Sequence, residues 1–275
     1  MTAVARGGTV ASLLPPLVAS AKGIQRYGAQ INTHDLMKVL AIVTMVVDNV
    51  GVFFMDDNVW MRLVGRMAAP LFFYLVGYSG SYRFKYQILA LGVALWLVNL
   101  FASASPSMLE HYIPVNILIT FVLIKAIMNR FDPVKMSTQS LVILLACLLL
   151  VGIPSSLVVE YGSFGLAIAI GARLINQRHP FGRPWIITAT VAHFLFQASL
   201  FLFVRPDVPM HIIPLGVLLI VAIVSASILV FVRYRLRGFV LNPGWLRNTV
   251  VYISRYSLQV YFFHLAAFMI IYRLI

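Results

Sequence analysis

Leu36-Met37-Lys38-Val39-Leu40-Ala41-Ile42-Val43-Thr44-Met45-Val46-Val47-Asp48-Asn49-Val50-Gly51-Val52-Phe53-Phe54-Met55 is a run of twenty residues in which only Lys38 and Asp48 carry charge. A helix rises about 1.5 Å per residue, so a run of this length matches the hydrocarbon core of a bilayer. The stretch therefore reads as a membrane-spanning helix with two charges that need an explanation. Similar apolar blocks follow at 59–79, 86–104, 111–128, 139–154, 156–175, 185–204, 210–232 and 256–273. Breaker signals separate them, among them Asp56-Asp57-Asn58, Asp132-Pro133, Pro154-Ser155-Ser156 and Asn242-Pro243-Gly244. The expected fold is an all-α polytopic membrane protein of about nine transmembrane helices. Residues 1–35 are expected to form a cytoplasmic tail and residues 36–275 a single membrane domain.

Composition agrees with this reading. Apolar residues fill 61% of the 275 positions and charged residues 11%, against about one-quarter charged in soluble domains. The net charge of +13 sits in short loops between apolar blocks rather than on a solvated face, which argues against nucleic acid as a partner. With the N-terminus in the cytoplasm, Arg6, Lys22, Arg26, Arg83, Lys85, Arg130, Lys135, Arg173, Arg178, Arg183, Arg233, Arg235, Arg237 and Arg247 all fall inside. Arg205 and Arg273 fall outside. This asymmetry is what the positive-inside rule demands, and it puts the C-terminus on the periplasmic side. The single cysteine, Cys147, excludes an intrachain disulfide and any cysteine-based metal centre. Residues 238–252 mix Trp245 and Tyr252 with Arg247 and suit a helix lying in the interface. Trp60, Trp185 and Trp245 fall at block ends, as an interfacial aromatic belt requires.

Ionisable groups inside a span are costly, about 2.5–3.5 kcal/mol each at the centre, and are functional candidates by default. Asp48 and Asn49 lie in the outer half of the first block, and Arg66 lies at a matching depth in the second. An Asp48–Arg66 ion pair is expected to offset the burial of both. Asn99, Asn116 and Glu160 map to outer halves, while His193, Gln197 and His264 map near the middle. Together these residues are expected to outline a polar cavity, with Asn99, Asn116, His193 and Gln197 read individually as interhelical hydrogen-bond partners. Lys38, Met45 and Asn49 share one helix face, so an opening from Lys38 past Asn49 to Glu160 is the arrangement to look for. No Gly-rich phosphate loop, Cys/His metal spacing or nucleophile elbow occurs.

Four patches carry a resemblance. His34–Gly51, Arg62-Leu63-Val64-Gly65-Arg66-Met67-Ala68-Ala69-Pro70-Leu71-Phe72, Glu160-Tyr161-Gly162-Ser163-Phe164-Gly165 and Ser254–Leu265 resemble, in order, motifs of the TraX family of conjugation-associated membrane proteins. The resemblance implies a membrane-embedded acyltransferase of the bacterial inner membrane. Such an enzyme takes an acetyl group from acetyl-CoA, or another acyl-CoA, on the cytosolic side and passes it to an amine or hydroxyl at the outer side. The implied acceptor is a pilin-like peptide or a polysaccharide, and membrane lipid is the surrounding partner. Lys38 would bind the coenzyme, while Asp48, Asn49, Arg66, Glu160 and His264 would form the catalytic group, with no metal. Many family sequences carry Asp-His where this chain has Asp48-Asn49. Asn49 accepts no proton at neutral pH but can hydrogen-bond an oxyanion, which leaves Asp48 or His264 as the base. The competing readings are a transporter and a catalytically inactive assembly subunit, although the inverted repeats that transporters often carry are not found.

Overall fold

The computed structural model describes residues 31–82, 86–102, 115–202, 213–239 and 241–274. Helix α1 spans Thr33–Phe54, α2 Val59–Gly65, α3 Ala68–Ser79, α4 Tyr86–Ala102, α5 Ile117–Arg130 and α6 Thr138–Ser156. Then follow α7 Gly162–Asn176, α8 Gly182–Leu202, α9 Ile213–Arg233, α10 Gly244–Arg255 and α11 Ser257–Leu274. Two residues at Ile31–Asn32, β1, pair antiparallel with Gly238–Phe239, β2. The chain is an all-α membrane protein. Among the described residues, five helical stretches are long and apolar enough to cross a bilayer: Thr33–Phe54, Val59–Ser79, Thr138–Ser156, Ile213–Arg233 and Ser257–Leu274.

Every apolar block of the sequence contains a helix, and the boundaries are set by caps and breakers. Helix α1 starts at Thr33, inside the stretch assigned to the tail, because Asn32 and Asp35 form a capping box. The Asn32 side chain accepts from the Asp35 N–H at 2.9 Å, and the Asp35 carboxylate accepts from the Asn32 N–H at 3.2 Å. The rest of the expected tail, residues 1–30, lies outside the described residues. The second block is two helices rather than one. Pro70 has no N–H to give to residue 66, and its ring excludes the carbonyl of Arg66 from a helical position. The chain therefore breaks at Arg66–Met67, where 3₁₀-type bonding from Met67 N–H to the Val64 carbonyl (3.2 Å) keeps polar backbone satisfied.

Helices α6 and α7 are separate, and a sharp corner joins them. Tyr161 adopts a left-handed conformation (φ 66°) and Gly162 another (φ 50°). The left-handed region suits glycine, but a bulky aromatic there is an outlier. A side chain at Gly162 would collide with Ser155 Oγ and the Gly152 carbonyl. The expected interfacial segment at 238–252 holds α10, which leaves Trp245 and Tyr252 mostly exposed. Trp185, by contrast, is fully buried and donates its indole N–H to the Ala167 carbonyl at 2.7 Å. Its place at a block end is a packing role and not a seat in the aromatic belt, because α7 carries the small residues that let α8 come close.

Helix α7 is the centre of the bundle, packed on α3, α6 and α8. Its Ala167, Ala169, Gly171 and Ala172 admit neighbouring backbones, as small residues do between membrane helices. On the facing helix α3, a Cβ at Gly77 would fall on the Ala169 carbonyl carbon and oxygen. Tyr74, two helix turns from the Pro70 break and fully buried, stacks on Phe231 of α9 with ring centroids 4.4 Å apart and donates to the Phe231 carbonyl at 2.8 Å. Gly77→Ala is expected to destabilise the folded protein by about 1–3 kcal/mol through overpacking against α7, read as a lower thermal midpoint of the detergent-solubilised chain. The exposed lipid-side change Leu150→Ala is expected to leave that midpoint nearly unchanged.

Candidate functional site

The described helices line a cavity of about 680 Å³. Lys38, Asp48, Asn49 and Glu160 all line it, so the opening sought from Lys38 past Asn49 to Glu160 is present. Asn99, Asn116 and Tyr161 line it as well. Apolar surface from Phe72, Leu95, Trp96, Phe121, Leu265 and Met269 fills the wall between the polar groups.

At the Asn49 end the site is built where α1 meets α2 and α11. Asp48 lies against α2, where Gly65 lacks a Cβ that would otherwise overlap the Asp48 side chain. The ion pair Asp48 makes there is with Arg62 Nη1, at 3.5 Å, and Arg62 Nε reaches on to Asp57 at 3.2 Å. The expected Asp48–Arg66 partnership holds electrostatically, Arg66 being the strongest charge acting on Asp48, while Arg62 adds the close contact. The helix break at residue 66 turns Arg66 toward α7, and its Nη1 donates to the Tyr161 hydroxyl at 3.4 Å. Arg66 nonetheless stays within Coulombic reach of both Asp48 and Glu160. Asp48, Arg62, Arg66, Glu160 and Tyr161 thus form one buried charge cluster.

Glu160 is fixed by the start of α5. Its Oε2 accepts from the Ile117 N–H at 2.7 Å, and its own carbonyl accepts from Thr120 Oγ1 at 3.0 Å. A carboxylate at a helix N-terminus is favoured by the unpaired N–H groups and the dipole there. Asn116 caps the same helix, accepting from Leu118 and Ile119 N–H, and donates to the Gly92 carbonyl of α4 at 2.7 Å. The structural reading of Asn116 as an interhelical partner therefore holds, even though it faces the cavity.

His264 stands directly behind Asn49. Its Nδ1 lies 2.9 Å from the Val260 carbonyl, and its Nε2 lies 2.8 Å from Asn49 Nδ2. A carbonyl only accepts, so Nδ1 carries the proton. In the neutral ring Nε2 then offers its lone pair to the Asn49 amide N–H. Tyr261 and Phe268 hold the ring edge to face at 5.9 and 5.5 Å. None of His193, Gln197 and His264, all expected to outline the cavity, lines it, and His264 reaches it only through Asn49. His193 is fully buried on α8 among Tyr161, Phe164 and Phe194, and neither of its ring nitrogens has a hydrogen-bond partner. The reading of His193 as an interhelical hydrogen-bond partner is thereby overturned, because aromatic rings rather than polar groups surround it.

At the Lys38 end the character changes. Lys38, Lys125 and Arg255 reach the cavity from α1, α5 and the corner after α10, with Ser79, Gln87 and Ser257 among them. Ser254 donates to Asp35 at 2.5 Å, tying α10 to the first turn of α1. His34 Nδ1 lies 3.2 Å from the Tyr234 hydroxyl. Burial, then Tyr78 and Asp35 nearby, raise the Tyr234 phenol above its ordinary range, so it stays a neutral hydroxyl.

Sequence reasoning gave no separate role to Arg62, Tyr161, Lys125 or Arg255. Arg62 is one turn before Arg66, and that spacing alone did not say which of the two would meet Asp48. Lys125 was legible as a lysine eight residues into an apolar helix, the same signal that singled out Lys38. Among the described residues no group of His, Cys, Asp and Glu has the geometry to hold a metal ion.

The family model described as TraX protein matches residues 33–271. The chain belongs to the TraX family. That membership makes it a conjugation-associated membrane protein, and the matched range takes in all four motif patches and every helix that lines the cavity. An uncharacterized protein of Rickettsia prowazekii (strain Madrid E) is 30% identical over 92 residues, which is 34% of this chain and 35% of that protein. This TraX-family chain thus matches about a third of that relative's length. No solved structure gives a significant match.

Breaking one side of the buried pair leaves the other charge stranded, at a cost of about 3–5 kcal/mol. Asp48→Asn and Arg62→Gln are each expected to lower folded yield sharply in a fluorescence size-exclusion assay. The double change is expected to recover part of it, whereas pairing Asp48→Asn with Arg173→Gln is not.

Proposed function

We propose that this TraX-family chain is an acyltransferase of the bacterial inner membrane, crossing it nine times with the N-terminus cytoplasmic and the C-terminus periplasmic. In this reading the acyl group comes from cytosolic acetyl-CoA or a related acyl-CoA. It goes to an amine or hydroxyl of a pilin-like peptide or glycan at the outer side. The observation that carries the reading is that one cavity is lined both by Lys38 and, eleven residues further along α1, by Asn49 with Asp48 and Glu160. A thioester held beside Lys38 and an acceptor held beside Asn49 can meet inside such a cavity without either substrate crossing the bilayer. The Lys/Arg asymmetry supports the orientation, and the coincidence of helices with all the apolar blocks supports the count.

His264 is the base and Asn49 its switch. The Asn49 amide rotates off Nε2 when the acceptor arrives, and its N–H then faces the thioester oxygen, where negative charge develops. The acceptor nitrogen or oxygen bonds to the acyl carbon, the carbon–sulfur bond breaks, and the acceptor proton passes to His264 Nε2. That proton leaves on the coenzyme thiolate, so the ring returns to its resting form. Asp48, neutralised by Arg62, holds α1 and α2 in register beside this centre, and Glu160 with Arg66 positions the acceptor.

The test uses the purified chain with radiolabelled acetyl-CoA and candidate pilin peptides or glycans. His264→Ala is expected to lower turnover by about 100-fold, the usual worth of a general base. Asn49→Ala should lose about as much as an oxyanion donor supplies, roughly 100-fold, while Asn49→His, the residue common in the family, keeps activity. Solute flux without release of coenzyme A would replace this reading with a transporter, and binding without turnover would replace it with an assembly subunit.

A further inference from the structure

The cavity is electrically polarised along its length. Its lining carries two carboxylates, Asp48 and Glu160, and three side chains that are cationic at neutral pH, Lys38, Lys125 and Arg255. The two signs are segregated, as each helix shows independently. Lys38 precedes Asn49 by eleven residues on α1, about 16 Å along the axis. Lys125 lies eight residues beyond Ile117, whose N–H holds Glu160, or about 12 Å along α5. Arg255 ends α10, two residues before α11 begins at Ser257, and Ser257 precedes His264, the partner of Asn49, by seven residues, about 10 Å along α11. Three helices thus bring one cation each to the same end, and neither carboxylate of the lining lies there.

This end is also open and rich in donors. Arg255 is exposed, and Lys38 and Lys125 are half-buried. The first turn of α11 lines the void through Ser257 and Gln259, so backbone N–H groups that no intrahelical carbonyl can use lie beside the three cations. The Gln87 side chain, also in the lining, adds amide donors. Asp35, the carboxylate nearest this end, stands outside the lining and is engaged by Ser254 and the Asn32 N–H, so a site with this many donors suits a dianion with several oxygens.

We propose that Lys38, Lys125 and Arg255, with the first turn of α11, form a binding site for a diphosphate group at their end of the cavity. The proposal rests on the acyl-donor reading above for the soluble source of that diphosphate, and it adds Lys125 and Arg255 as the residues that set the requirement for it. Arg255 supplies a planar fork for two phosphate oxygens, and the two lysines supply point charges around it. The diphosphate is held at this end while the remainder of the ligand extends toward Asn49 along the apolar wall.

The experiment titrates coenzyme A, and separately pantetheine, into the full-length chain in phosphatidylcholine nanodiscs, and repeats the measurement with Lys125→Gln, Arg255→Gln and Lys125→Arg. Arg130→Gln, at the end of α5 and outside the cavity lining, is the control. Coenzyme A is expected to bind the wild type and the control alike and to weaken about tenfold or more in each Gln variant, the worth of a charge-assisted hydrogen bond. Lys125→Arg restores most of the affinity, pantetheine is insensitive to all the changes, and added salt weakens the wild type more than the variants. Equal binding of coenzyme A by all the variants overturns the site while leaving the acyltransferase reading standing. Absence of coenzyme A binding, with retention of added phosphatidylglycerol that the Gln variants lose, keeps a phosphate site but assigns it to lipid and removes the soluble donor. Binding of neither probe overturns both.

Discussion

A carboxylate carried into a membrane must find a cation there or surrender its proton, and the structure answers this for Asp48 with Arg62. The pairing fixes α1 against α2 at one depth, and Gly65 is what lets the two backbones approach closely enough for it. From that contact the rest of the Asn49 end follows. Arg62 is shared with Asp57 at the turn between the helices, and Arg66 is released toward Tyr161 and Glu160 on the far side of the cavity. Without a buried cation on α2, Asp48 would have to be neutral, and α1 would have no reason to present Asn49 to the interior. The site is thus a consequence of charge compensation first and of cavity shape second.

Helix locations were legible because bilayer span length, Pro and Asn-Asp breakers, and the Lys/Arg bias are local signals that need no tertiary knowledge. The cavity joining Lys38, Asn49 and Glu160 was legible for a related reason, since lipid rejects ionisable groups and several in different spans must converge. That Arg62 would join Arg66 beside Asp48 was not legible. Depth placed Arg66 within Coulombic reach of Asp48, but the break that Pro70 imposes splits the second block, and the turn before it makes the close contact. Direction around a helix axis depends on a kink, and a kink depends on what the neighbouring helix tolerates.

His193 and Trp185 show the opposite limit. Both were read from position along a block, one as a hydrogen-bond partner and the other as an interfacial anchor, and both turn out to be packed deep in the bundle. Small residues on α7 draw α8 inward, so a tryptophan at a block end can be fully enclosed and find its acceptor in the Ala167 carbonyl. Close approach of this kind is set by the facing helix, and composition of the segment itself carries no trace of it. Asn49 and His264, 215 residues apart, are a further case, because each is visible as an intramembrane polar residue while their contact depends on how α11 lies across α1.

The left-handed backbone at Tyr161 has a bearing on how the cavity meets whatever enters it. Holding a bulky residue in that region requires about 1–3 kcal/mol, and the strain is relieved nowhere in the corner between α6 and α7, where Gly162 is already used to make the turn. The fold itself therefore keeps the phenol aimed at Arg66. An incoming molecule finds a preorganised wall and loses little freedom of the protein on arrival, so selectivity at that end is that of a rigid template rather than of a surface that moulds itself to its guest.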